Sequence, residues 1–87
     1  MSRKADHMER VASLGCCVCA AMGMGYVAAE VHHIGDTSER SDFLTIPLCP
    51  DHHRGANGFH GMGERAFNAR YKTNELMLLG QTIGRLA

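Results

Sequence analysis

Two pairs of metal-type ligands, Cys16-x-x-Cys19 and Cys49-x-x-His52, constrain this chain more than anything else in it. A turn with ligands at its first and fourth positions brings both side chains to one side. Two such turns can close a tetrahedral shell around a single ion. A closed shell staples a chain but leaves no position for chemistry. A staple is also what an 87-residue chain without tryptophan needs, because a domain this small buries too little apolar surface to be comfortable alone. We therefore expect structural zinc on Cys16, Cys19, Cys49 and His52. Cys17 is an alternative to Cys16, at the cost of a geometrically poorer Cys17-x-Cys19 pair. Reduced cysteines buried as small hydrophobes would be the plainer account, but four ligands at matched spacing argue against it.

The compartment fits the same reading. Residues 1–10 are polar and lack the apolar core of a secretory leader, and no apolar run is long enough to span a bilayer. The expectation is a soluble, cytoplasmic protein without a membrane partner. In a reducing compartment, cysteines at this spacing serve metals rather than disulfides. The formal net charge is +0, so no global field draws the protein to nucleic acid. Phosphate binding would have to come from a local patch.

Periodicity and turn residues predict an α+β domain spanning 1–87. Its parts are an N-terminal helical segment (1–15), a zinc-knuckle and ββα core (16–61) and C-terminal helices (62–87). Helical spacing of Met8, Val11 and Ala12 covers 3–14, with Gly15 at the C-cap. A tight knuckle and loop follow from Cys16. Short strands are predicted over Tyr26–Val31 and Phe43–Leu48, the second confined to an edge by Pro47. A polar loop joins them over 35–42. Pro50 and Asp51 suit the first turn of a short helix that carries His52, His53 and Arg54 and stops near Gly55. Glycines at 55, 58, 61 and 63 make the next segment loose and turn-rich. A helix then runs from Glu64 to Tyr71, and a last one, N-capped by Thr73, passes through Leu76, Met77, Leu79 and Ile83.

Zinc at the knuckles leaves His32, His33, His53 and His60 nearby and unassigned. In a strand His32 and His33 point to opposite faces. One can then bind a second metal while the other stays free near that metal's water. His53 and His60 could converge on the same ion from the short helix and the glycine-rich segment. Any one of these histidines alone would be read as an ordinary polar surface residue. Four of them flanking a knuckle would not.

A strand ending in His32-His33-Ile34, followed by the Cys49-x-x-His52-His53 element opening a helix, resembles the HNH (His-Me finger, ββα-metal) endonucleases. The string Thr45-Ile-Pro-Leu-Cys-Pro-Asp-His-His-Arg-Gly-Ala-Asn-Gly-Phe-His-Gly61, with Ala66-Phe67 and Tyr71 after it, is more closely similar to the nuclease domain of the Ref-type, RecA-dependent phage nucleases. The resemblance covers roughly Cys16 to Tyr71. It implies a zinc-stapled ββα-metal fold with flanking helices and metal-dependent hydrolysis of DNA phosphodiester bonds. By the family pattern His32 is a metal ligand, His33 the general base, and His53 and His60 the remaining ligands of the catalytic metal. The family's middle asparagine falls near Leu44, and leucine cannot orient a base. Asp42, Thr45 or a backbone carbonyl has to orient His33 instead. The resemblance further implies phage or prophage origin in a bacterial host and cleavage directed by a RecA–DNA filament or another phage protein.

The chemistry is consistent with those residues. Histidine titrates near pH ~6.5, so a neutral imidazole at His33 can accept a proton from water. A divalent ion on His32, His53 and His60 would act as Lewis acid and template. Imidazole ligation favours zinc, nickel or manganese-like ions, though cellular supply can favour magnesium. From Arg54 to Lys72, the cations Arg54, Arg65, Arg70 and Lys72 face one acid, Glu64. That excess suits backbone phosphates or, equally, a solvated helix face. Arg54, next to a ligand position, is the residue placed to touch the scissile phosphate. The competing reading is a non-catalytic zinc-knuckle nucleic-acid-binding module on the same scaffold. Loss of nicking on His33→Ala separates the two.

Overall fold

The computed structural model describes residues 2–35 and 41–87. In chain order the elements are α1 (Arg3–Ser13), α2 (Cys17–Ala21), β1 (Glu30–His33), β2 (Thr45–Leu48), α3 (Pro50–Arg54), α4 (Phe59–Met62), α5 (Glu64–Tyr71) and α6 (Glu75–Leu86). The two strands form one antiparallel sheet in which Val31 pairs with Pro47 and His32 with Ile46. A two-stranded ribbon is not stable by itself. Here all four residues of β2 are buried, because α1, α2 and α6 all pack on that strand.

The core beside the sheet joins Ile46 and Leu48 to Val18, Phe67, Leu78, Leu79 and the cysteines. Phe67 is fully buried and contacts Phe59 and Tyr71 at ring-centroid distances of 5.4 and 4.8 Å. It is the one buried residue of α5, so it anchors that helix. The terminal helices clasp each other: Arg10 donates to the Leu86 carbonyl at 2.9 Å and Arg85 to the Leu14 carbonyl at 3.1 Å.

Several expected boundaries move for identifiable reasons. The first strand is Glu30–His33 rather than 26–31, because the Val27 carbonyl accepts from the Cys16 amide at 2.8 Å. That stretch supports the first knuckle instead of the sheet. In the second strand, Phe43 and Leu44 belong to a turn in which the Leu44 amide reaches the Ser41 carbonyl. Positions 36–40 of the expected polar loop lie outside the described residues. The knuckle at Cys16 is followed by a short helix, α2. The last helix is capped by Asn74 rather than Thr73, its side chain accepting from the Met77 amide at 2.8 Å.

The segment expected to be loose contains α4. Its glycines serve close approach. A methyl on Gly58 would lie 2.7 Å from the His52 carbonyl carbon, and one on Gly61 would lie 2.7 Å from the Gly55 carbonyl carbon. Only residues without a Cβ let the chain fold back this tightly over α3. That fold-back carries His60 to His53.

Candidate metal centres

The two knuckles are built alike. Cys16 is the N-cap of α2, and its sulfur accepts from the Cys19 amide at 3.4 Å. Cys49 is the N-cap of α3, and its sulfur accepts from the His52 amide at 3.5 Å. In each case the cap and the residue three further on face the same point, as the spacing predicts. Pro50 occupies the start of α3, where its missing N–H costs nothing.

The four donors of Cys16, Cys19, Cys49 and His52 come together and are all buried. His52 Nδ1 lies 3.5, 3.4 and 3.3 Å from the sulfurs of Cys16, Cys19 and Cys49. The Cys19 and Cys49 sulfurs are 3.8 Å apart. Bonds of about 2.3 Å to sulfur and about 2.05 Å to nitrogen make tetrahedral edges of about 3.8 Å (S···S) and about 3.6 Å (S···N). The observed spacings are those edges within a few tenths of an ångström, so the cluster could hold an ion such as zinc. The acid–base chemistry fits too. Burial, reinforced by Cys16 and Cys49 alongside, pushes the Cys19 thiol up to about 12. A cation at the centre is what would reverse that tendency.

Cys17 lies outside this group. Burial, with the adjacent Cys16, pushes its thiol up to about 12, and it packs in the apolar core. Of the two arrangements the sequence allows, the structure brings Cys16 to the cluster.

A second group gathers His32 from β1, His53 from α3 and His60 from α4. Their ring centroids form a nearly equilateral triangle with sides of 5.1, 5.0 and 5.0 Å. The donor atoms all lie within 4.8 Å of one another. His32 Nε2 is 2.7 Å from Glu75 Oε2, and His53 Nδ1 is 2.9 Å from Glu30 Oε1. The opposite nitrogens, His32 Nδ1 and His53 Nε2, are thereby left to the centre. His32 Nδ1 is buried and has no hydrogen-bond partner. An orphaned lone pair of this kind is what a metal would satisfy. Burial lowers the His32 pKa, against the opposing pull of Glu75, which favours the neutral ligand form. Three nitrogens leave coordination positions open, unlike the cysteine cluster.

His33 does not join the triangle. Its Nε2 lies 2.7 Å from Asp42 Oδ1, and Thr45 Oγ1 donates to the Asp42 carbonyl at 3.1 Å. Asp42, one of the three partners the sequence offers for His33, is thus the one that its ring meets. His32, His33 and His60 line one cleft of about 320 Å³, together with Phe59, Glu64 and Glu75.

The basic residues are dispersed. Arg54 makes a two-pronged pair with Glu30, from Nε and Nη2 at 2.9 Å each. That pair first, and His53 second, hold the Glu30 carboxyl down at about 2. Arg70 and Lys72 line a larger, mostly apolar cavity of about 460 Å³ with Val18, Met22, Tyr71 and Met77. That cavity contains none of the histidines, so its size says nothing about chemistry. Arg65 is exposed on α5. Glu30 and Glu75 are not among the expected site residues. Glu30 is two residues from His32 on one strand, a signal the sequence offers, whereas Glu75 lies on the last helix.

These features define a small α+β protein assembled around a Cys3His cluster of metal-binding type. The chain belongs to the recombination enhancement, RecA-dependent nuclease family, whose model matches residues 2–85. The family is thus one of enzymes that act on nucleic acid in recombination. No curated protein and no solved structure matches the chain. Among the described residues no helix is long and apolar enough to cross a membrane.

Proposed function

We propose that residues 1–87 form one metal-dependent endonuclease domain of HNH (His-Me finger, ββα-metal) type that hydrolyses DNA phosphodiester bonds under the direction of RecA filaments. The observation that carries the reading is the triangle of His32, His53 and His60 beside His33, all but His53 lining one cleft. The order β1, β2, α3 is what a ββα-metal element requires.

In this reading Cys16, Cys19, Cys49 and His52 hold structural zinc, and His32, His53 and His60 hold a catalytic divalent ion such as Zn2+, Mn2+ or Mg2+. That ion, when bound, supplies Lewis-acid stabilisation of charge on the phosphate and the leaving oxygen. His33 donates its Nε2–H to the Asp42 carboxylate, which leaves Nδ1 as the acceptor for a proton from the attacking water. Asp42 fixes the tautomer and is in turn steadied by Thr45 through its own backbone. Arg65, exposed on α5, is free to contact the DNA backbone in this reading. Arg70 and Lys72, on another surface, suit a more distant stretch of the strand. Arg54 would reach a phosphate only by releasing Glu30.

A plasmid-nicking assay with RecA–DNA filaments and a panel of divalent metals tests the proposal. Wild type nicks, and His33→Ala lowers the rate by ~10²–10⁴-fold, the usual contribution of a general base, without changing DNA affinity. DNA affinity with no nicking under any metal would instead identify a non-catalytic binding module.

A further inference from the structure

Building on the metal-centre reading above, we propose that Glu75 and Glu30 are the positioning residues of the histidine centre. Each fixes the outer nitrogen of one imidazole, so that helix α6 and Arg54 become parts of that centre. Neither carboxylate approaches the centre as a ligand, since the three gathered donors are the histidines alone. Each instead occupies the nitrogen facing away from it. Glu75 Oε2 lies 2.7 Å from His32 Nε2, and its other oxygen accepts from the Gly35 amide at 3.3 Å. Glu30 Oε1 lies 2.9 Å from His53 Nδ1, and the same carboxylate is gripped through both oxygens by Arg54.

An imidazole that gives its N–H to a carboxylate has its tautomer and ring orientation set, and its free nitrogen becomes a better donor to a metal. Glu30 is held at both oxygens by Arg54 and Glu75 at its second oxygen by the Gly35 amide, so the orientation passes to rings that would otherwise swing. The two supports differ in origin. Glu30 comes from the strand that carries His32, whereas Glu75 opens α6, 43 residues beyond His32 in the chain. The C-terminal helix therefore closes the centre from outside the ββα element. Arg54 acts through Glu30 on His53 rather than by standing open to a phosphate.

The test is a Co2+ titration of full-length protein, reading the two centres separately by their spectra. Cobalt on sulfur shows an intense thiolate charge-transfer band, and cobalt on three imidazoles shows only weak d–d bands. Wild type should bind two Co2+ per chain. Glu75→Gln and Glu30→Gln should each lower Co2+ affinity of the histidine centre by ~10–100-fold and leave the thiolate band and its affinity unchanged. Glu9→Gln, on the exposed face of α1, should change neither. Unchanged affinity at the histidine centre in both carboxylate variants would overturn the proposal. So would an equal fall at both centres, which marks a merely structural role. A wild type that binds one Co2+ only, with the thiolate band, would refute the histidine centre itself.

Discussion

Substituting Gly61 by alanine tests whether the glycine spacing exists to deliver His60. The added methyl would sit 2.7 Å from the Gly55 carbonyl carbon and 3.3 Å from Ala56 Cα. Carbon atoms rest at about 3.5–4.0 Å and the Gly55 carbonyl oxygen lies closer still, so the two backbone segments must part by at least about 1 Å. The obstructing atoms are main chain, and no rotamer change relieves them. Overpacking of this kind costs about 1–3 kcal/mol of stability. The cysteine cluster need not fail, because its donors come from α2, α3 and their caps rather than from α4. His60 adjoins the displaced residue and moves with it. A shift of about 1 Å in a catalytic group typically costs on the order of 10²-fold in rate. Gly61→Ala should therefore retain one tightly held zinc, lose affinity at the histidine centre and nick about a hundredfold more slowly. Zinc content by mass spectrometry of the native protein, together with plasmid nicking at saturating metal, reads both quantities. Wild-type rate and full occupancy of both centres would refute the reasoning.

Three further substitutions probe other parts of the molecule. Cys16→Ala should abolish the tight zinc, while Cys17→Ala should leave its stoichiometry intact. Since burial pushes the Cys17 thiol up to about 12, iodoacetamide at pH 8 should also spare Cys17 in the folded protein, and rapid alkylation there would contradict its placement. Gly80 lies within α6 with nothing within 4 Å of a Cβ built on it. Gly80→Ala should raise stability by about 0.5–1 kcal/mol through helix propensity alone. A lowered thermal midpoint would show that α6 needs the glycine.

The knuckles are legible in the sequence because their geometry is local. Cys16 and Cys19, or Cys49 and His52, are fixed relative to each other by one turn of chain. The helix at Glu64–Tyr71 and the short one at Pro50–Arg54 are legible for the same reason. Local spacing only suggests that His32, His53 and His60 converge, because their meeting depends on tertiary fold-back. Glu75 is not readable at all: nothing in its neighbourhood distinguishes a helix-opening glutamate that caps electrostatically from one that reaches His32. The glycines between 55 and 61 mislead in the opposite direction. Composition reads them as looseness, whereas Gly58 and Gly61 sit where backbones nearly touch. The first strand lies later than its apolar run suggests, because such a run cannot reveal that Val27 is already engaged by Cys16.

The three imidazoles are also graded by exposure. His32 is 1% exposed, His53 is intermediate and His60 lies at the surface. Among the described residues, the centre is therefore most open on its His60 side. A nucleic-acid strand would have to bow its backbone inward at that doorway. If the proposed function holds, the scissile strand enters the cleft from that side.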